Sequence, residues 1–85
     1  MDTYKIINEF FPSMENLPFE VILDKDIHDR AGDVAEIDGQ IFTLHPFMAH
    51  THNFIGLLPR VDGKSFIGKT MYVYNPAEKN NAGHQ

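Results

Sequence analysis

The stretch DVAEIDGQIFTLH, residues 33–45, is the clearest indication of how this chain folds. Asp38-Gly39 separates two runs in which apolar and polar residues alternate, and both residues accept the positive φ angles of a tight two-residue turn. Such a turn sets Ile37 opposite Gln40. The stretch therefore predicts a β-hairpin with a defined register.

That register sorts the side chains of the predicted hairpin onto two faces, because successive residues of a strand point to opposite sides. One face gathers the apolar side chains, namely Ala35, Ile37, Phe42 and Leu44. The other face carries Glu36 and Thr43. The alternation indicates a sheet that is buried on one side only.

Further strand-like runs lie on both sides of this hairpin. FEVILD, residues 19–24, is compact and apolar, which favours a strand covered on both faces. NFIGLLP, residues 53–59, leads to a second Asp-Gly pair at 62–63, and SFIGKTMYVY, residues 65–74, is rich in aromatic and β-branched residues near its end. We expect the last two runs to pair as a second hairpin.

The opening DTYKIINEFFP, residues 2–12, predicts a short helix. Asp2 or Thr3 can cap its start and Pro12 ends it. Four apolar residues fall on one helical stripe: Tyr4, Ile7, Phe10 and Phe11.

Together these elements predict an α+β fold. The N-terminal helix packs on a four- to five-stranded antiparallel sheet joined largely as a meander, within a single small domain over residues 1–76. Residues 77–85 have little to bury and are expected to form a flexible tail. With 85 residues and no cysteine, the fold must rely on packing without disulfides or thiolate zinc sites, and a homodimer is kept as an alternative to a monomer.

The charge of the chain is acidic and uneven. The formal net charge is −5, and residues 1–38 hold ten carboxylates against three cations, leaving residues 39–85 with a net charge of +2. This balance disfavours direct binding to nucleic acid, whose backbone requires cations, and favours a basic partner.

Membrane insertion and export are not predicted. No apolar run approaches the roughly 18 residues that a membrane-spanning helix needs. The start of the chain also lacks a basic lead followed by an apolar stretch. We therefore expect a cytoplasmic protein.

GKSFIGKT, residues 63–70, fits the phosphate-binding pattern G-x-x-x-x-G-K-[ST]. A phosphate loop requires a helix directly after it, whose first amides help to hold the anion. Here β-favouring residues and Pro76 follow, so the sequence favours a hairpin with solvated lysines at 64 and 69. Nucleotide binding is retained as a third hypothesis, which predicts thermal stabilisation by ATP or GTP.

The histidines of HPFMAHTHNF, residues 45–54, form a candidate metal site. In an extended segment His50 and His52 point to one side, a spacing at which two imidazoles can bind one metal ion. His45, His28 or a carboxylate is the candidate third ligand. This is the alternative function: a protein that binds or sequesters a divalent metal or a small molecule, or a weak metal-dependent hydrolase.

The segment from Asp24 to Asp33 is a polar, acidic loop. Its spacing is not that of an EF-hand, which requires Gly at position 29 and Glu at position 35. We expect it to form an anionic patch that docks on a basic surface, with carboxylates from Asp24, Asp26, Asp29, Asp33, Glu36 and Asp38. Apolar contact area is expected from Phe47, Met48 and Phe54.

The leading prediction is a small acidic binding protein that inhibits a larger macromolecular partner by covering a basic surface. Ser13 and Ser65 lack the context of an activated nucleophile, so an enzyme is the less favoured interpretation and no cofactor is expected. A protein of this type would suit a virus or mobile element that antagonises a host nucleic-acid-handling defence complex in the host cytoplasm.

Overall fold

The computed structural model describes residues 2–14, 16–27, 32–45 and 52–77. Within these ranges the chain forms six strands: β1 (Asp2–Phe10), β2 (Phe19–Leu23), β3 (Val34–Ile37), β4 (Gln40–His45), β5 (Phe54–Leu58) and β6 (Thr70–Tyr74). All neighbouring strands are antiparallel, and they close into a barrel in the order β1-β2-β5-β4-β3-β6. The fold is all-β, so the predicted α+β architecture is wrong.

The hairpin of β3 and β4 confirms the strongest sequence prediction. Ile37 pairs with Gln40 and, one step further, the buried Ala35 pairs with the buried Phe42. Asp38-Gly39 forms the turn with φ angles of 52° and 80°. Here two adjacent residues encode both the turn and the register.

The second predicted hairpin and the meander are wrong. β5 pairs with β2 and β4, whereas β6 pairs with β1 and β3, so the two strands are not neighbours. Residues 59–69 instead cross one end of the barrel between them. In this position β6 joins the first strand to the central hairpin, which leaves no open edge among the six described strands.

The N-terminal helix predicted over residues 2–12 is also wrong, because this segment is strand β1. It is an integral part of the barrel, paired with β2 on one side and β6 on the other. Its inward side chains Tyr4 and Ile6 are 6% and 0% exposed. Burial between two partner strands outweighs the local helical pattern.

A β-bulge explains why β1 does not show the alternation of a strand. Ile6 pairs with Leu23 and Asn8 with Ile22, so Ile7 is an extra residue without a partner of its own. An extra residue exchanges the inward and outward positions that follow it. The apolar residues of β1 therefore lose their spacing of two and resemble a helical stripe.

The core is apolar and centred on aromatic rings. Phe19, Phe42 and Phe66 are fully buried, and their ring centroids lie 5.6 to 5.7 Å apart. Phe11 stacks on Phe19 at 5.0 Å. Because a buried aromatic side chain removes a large apolar area from water, this cluster is a main source of stability.

The antiparallel order sends successive connections to opposite ends of the barrel. β2 ends and β3 begins at one end of the barrel, where β4 also ends and β5 begins; we name it the acidic end after Asp24 and Asp26. The connections over 11–18, 38–39 and 59–69 lie at the other end, which we name the Phe66 end. The two loops that carry most of the predicted site are therefore at the same end.

Candidate interaction surface

The described parts of the two loops at the acidic end are held together by backbone hydrogen bonds. Leu23 N donates to the carbonyl oxygen of Asn53 at 2.8 Å, and Ile27 N donates to that of His52 at 2.7 Å. The Asn53 side chain returns a hydrogen bond to the Leu23 carbonyl oxygen at 3.2 Å. These bonds fix the acidic loop against the start of β5.

Asp24 is held at the end of β2 by the neighbouring strand. Its Oδ1 accepts a hydrogen bond from Lys5 N at 2.9 Å, and its own N donates to the Lys5 carbonyl oxygen at 3.0 Å. The carboxylate is thus positioned on the outer surface, where both Asp24 and Asp26 are exposed. The loop presents two carboxylates to a partner from a defined backbone.

An apolar row lies directly beside these carboxylates. Ile22 on β2 pairs with Phe54 on β5, and both are half-buried on the outside of the barrel. On β1 the residue in register with Ile22 is Asn8, and the bulge residue Ile7, 51% exposed, directly precedes it. Asp24 shares the outer face with Ile22 because the two are separated by two positions. We name the surface made of Ile7, Ile22, Asp24 and Phe54, together with the exposed Asp26 two residues further along the loop, the β2 face.

Asp33 does not contribute to an exposed patch. It is 7% exposed, and its Oδ1 accepts a hydrogen bond from Asn75 Nδ2 at 2.9 Å. Its carbonyl oxygen accepts from Leu44 N at 3.4 Å. The residue therefore ties the segment after β6 to the barrel, while the predicted neighbour Asp29 lies outside the described residues.

Glu36 and Asp38 are separated from Asp24 and Asp26. Glu36 lies on β3, which is three strands away from β2 in either direction around the barrel. Asp38 lies at the Phe66 end, where its Oδ2 is 3.2 Å from Lys69 Nζ. The structure therefore does not bring the predicted carboxylates to one face.

Of the three predicted apolar contacts, only Phe54 belongs to the described residues. Phe47 and Met48 lie outside them. Sequence reasoning missed Ile7 and Ile22: the bulge that exposes Ile7 has no local signature, and β2 was expected to be covered on both faces. The half-exposed Glu20 within the same strand was the one available sign that this strand has an outer side.

The histidine cluster is only partly within the described residues. His45 Nε2 is 2.9 Å from Thr43 Oγ1, and that hydroxyl donates to the Leu58 carbonyl oxygen at 3.3 Å. His52 is exposed, whereas His28 and His50 lie outside the described part. Within that part, no three His, Asp or Glu side chains form a group that could bind a metal ion.

The loop that matches the phosphate pattern uses its amides internally. The acceptors of four successive N–H groups, from Phe66 to Lys69, are Glu9 Oε1 at 2.7 Å, Ser65 Oγ at 3.3 Å, Ile6 O at 2.7 Å and Phe66 O at 3.0 Å. Strand β6 begins at Thr70, so the pattern is followed by a strand and not by the helix that a phosphate loop requires. These amides are therefore engaged by acceptors of the chain itself, and one of those acceptors is the Glu9 carboxylate.

Comparisons of the chain with protein-family models, curated proteins and solved structures gave no match. The described residues contain no helix that is long and apolar enough to cross a bilayer.

Proposed function

We propose that this protein is a small non-enzymatic binding protein. It covers a basic surface of a larger protein or nucleoprotein complex with its β2 face and thereby inhibits that partner. Its site of action is the cytoplasm, which is the host cytoplasm if the protein serves a virus or mobile element as an antagonist of a nucleic-acid-handling defence complex.

The observation that carries the proposal is the position of an apolar row beside exposed carboxylates. Ile7, Ile22 and Phe54 offer contact area that loses water on binding, which is the main source of affinity at protein interfaces. Asp24 borders that area and, with the exposed Asp26 two residues further along the loop, attracts a basic surface during encounter. The formal net charge of −5 acts in the same direction.

The test compares two variants that remove the same number of charges at opposite ends of the barrel. The double variant Asp24→Asn, Asp26→Asn removes both carboxylates of the β2 face, and the Asn side chain at 24 keeps the oxygen that accepts from Lys5 N. The control is Asp38→Asn, Asp62→Asn. Asn tolerates the positive φ angle at position 38, so the control preserves the turn.

The measurement is the affinity for the partner isolated with the wild-type protein from its native cell, at low and at high salt. We expect the β2-face variant to bind roughly fivefold more weakly at low salt, since each exposed ion pair contributes about 0.5 kcal/mol. The loss should be mainly in the association rate and should shrink at high salt.

The control variant should bind like the wild type. Both variants should unfold within about 1 kcal/mol of the wild type, because the control loses two ion pairs at the surface, Asp38–Lys69 and Arg60–Asp62, and the β2-face variant keeps the acceptor of Lys5 N. Equal weakening by the two variants would show that the affinity depends on net charge alone and that the β2 face is not the binding surface. Unchanged affinity of the β2-face variant would refute the proposal itself.

A further inference from the structure

A second exposed row lies on the opposite side of the barrel. Glu36 on β3 pairs directly with Tyr72 on β6 and with Ile41 on β4, so the three side chains form one row across three strands. Tyr72 is 40% exposed and Ile41 is 46% exposed. We name these three residues the Glu36 row.

The carboxylate in the middle of this row has no partner within the described part of the protein. Glu36 is half-buried, and neither a cation nor a hydrogen-bond donor of the described residues pairs with it. Directly opposed side chains on neighbouring strands have Cβ atoms about 5 Å apart. Glu36 is therefore flanked at contact range by an aromatic ring on one side and an aliphatic side chain on the other.

We infer that the Glu36 row binds an arginine side chain of a basic partner. A guanidinium is planar, so it can donate two hydrogen bonds to the Glu36 carboxylate and stack on the Tyr72 ring at the same time. Ile41 covers the methylene stem of the same arginine. A lysine ammonium is a compact charge that forms neither the paired hydrogen bonds nor the stack.

This inference goes beyond the proposed function, because the Glu36 row and the β2 face lie on opposite sides of the barrel. An arginine bound at Glu36 leaves Asp24 and Asp26 accessible. The barrel would then contact two basic elements of one partner, or two partners, at once. The inference can hold even if the β2 face has no role.

The experiment titrates the isotope-labelled protein with short capped peptides and follows its backbone amides by NMR. The probes are acetyl-Gly-Arg-Gly-amide and the same peptides with Lys or Glu in the centre. The arginine peptide should shift the amides of Glu36, Tyr72 and Ile41 in a saturable manner. We expect it to bind several-fold more tightly than the lysine peptide, because only arginine can stack and pair together.

Two variants and a control separate charge from stacking. Glu36→Gln should weaken arginine binding by about tenfold or more, because the charge-assisted hydrogen bonds are lost. Tyr72→Ala should abolish the preference for arginine over lysine. Glu20→Gln is the matched control, since Glu20 is also a half-buried outward carboxylate on a strand but pairs with Gly56 on one side. It should bind like the wild type.

Several outcomes would overturn the inference. They are shifts by the glutamate peptide equal to those of the arginine peptide, shifts centred on Asp24 and Asp26, and equal weakening by Glu36→Gln and Glu20→Gln. Ultracentrifugation adds one more: a dimer that Ile41→Asp dissociates would show that a second copy of this chain covers the row. None of these results depends on the partner used to test the β2 face.

Discussion

Glu9 and Asp24, at opposite ends of the barrel, each accept a hydrogen bond from a backbone N–H, but Glu9 is half-buried whereas Asp24 is exposed. At the Phe66 end, the Glu9 carboxylate accepts a hydrogen bond from Phe66 N at 2.7 Å and so fixes the loop that inserts a ring into the core. At the acidic end, Asp24 and Asp26 are exposed on a loop that is held by backbone hydrogen bonds. The Phe66 end thus uses a carboxylate to hold a core residue in place, whereas under the proposed function the exposed Asp24 and Asp26 also contact a partner.

Arg60 shows the same internal use of charge at the Phe66 end. Its Nε is 2.9 Å from Asp62 Oδ1, and its Nη1 donates to the Met14 carbonyl oxygen at 3.0 Å. Its guanidinium carbon lies 5.7 Å from the centre of the Phe11 ring. The loop before β6 is thereby tied to the connection between β1 and β2, so one cation serves two segments of the chain.

The largest effect that would test this contrast is expected from Phe66→Ala. The substitution removes a fully buried ring from the aromatic cluster and should lower the free energy of unfolding by about 3–5 kcal/mol. Urea unfolding followed by circular dichroism measures it. Ile67→Ala is the control one residue away: Ile67 is 50% exposed, so the cost should stay within about 0.5 kcal/mol. Similar costs for the two variants would contradict the role of Phe66 as a core residue.

A smaller effect is expected from changes at Glu9. Glu9→Ala removes the acceptor of Phe66 N and should cost about 1–3 kcal/mol, the range for a hydrogen bond to a charged group or for an amide left without an acceptor. Glu9→Gln keeps a side-chain oxygen and should cost less. Hydrogen exchange at the Phe66 amide should be slowest in the wild type, faster in Glu9→Gln and fastest in Glu9→Ala. Unchanged exchange in Glu9→Ala would show that the carboxylate does not hold the loop.

The β3–β4 hairpin and strand β1 differ in how well the sequence predicts them. The β3–β4 hairpin was predictable because its register depends on two adjacent residues, Asp38-Gly39, and on the alternation beside them. β1 was not, because the bulge at Ile7 disturbs its alternation. The partners of β1 and β6 depend on closure of the whole barrel, which no local pattern encodes.

The candidate surface was predictable to a similar extent. Asp24, Asp26 and Phe54 were selected by residue type. Because neighbouring strands run in opposite directions, the end of β2 and the start of β5 lie at the same end of the barrel. Glu36 and Asp38 were assigned to the same patch because they are close in sequence. They are separated because β3 follows β2 along the chain but lies across the barrel from it. Strand order, which the residues do not spell out locally, decides which charges share a face.

The smallest effect on stability is expected from Glu20, a half-buried carboxylate on the outer side of β2. It lies on the outer side of β2 opposite Phe10 and Gly56, and partial burial raises the pKa of its carboxyl above the ordinary value of 4.5. A raised folded-state pKa means that the folded protein keeps this proton to a higher pH than the unfolded chain does. The resulting stabilisation is complete below pH 4.5 and is lost as the pH rises through the folded-state pKa.

Glu20→Gln removes this titration, so wild type should lose stability relative to the variant over that pH range and then stay level. Urea unfolding of both proteins from acidic to neutral pH measures the difference. A difference that instead favours the wild type as the pH rises would mean that an attraction to a cation, rather than burial, governs Glu20.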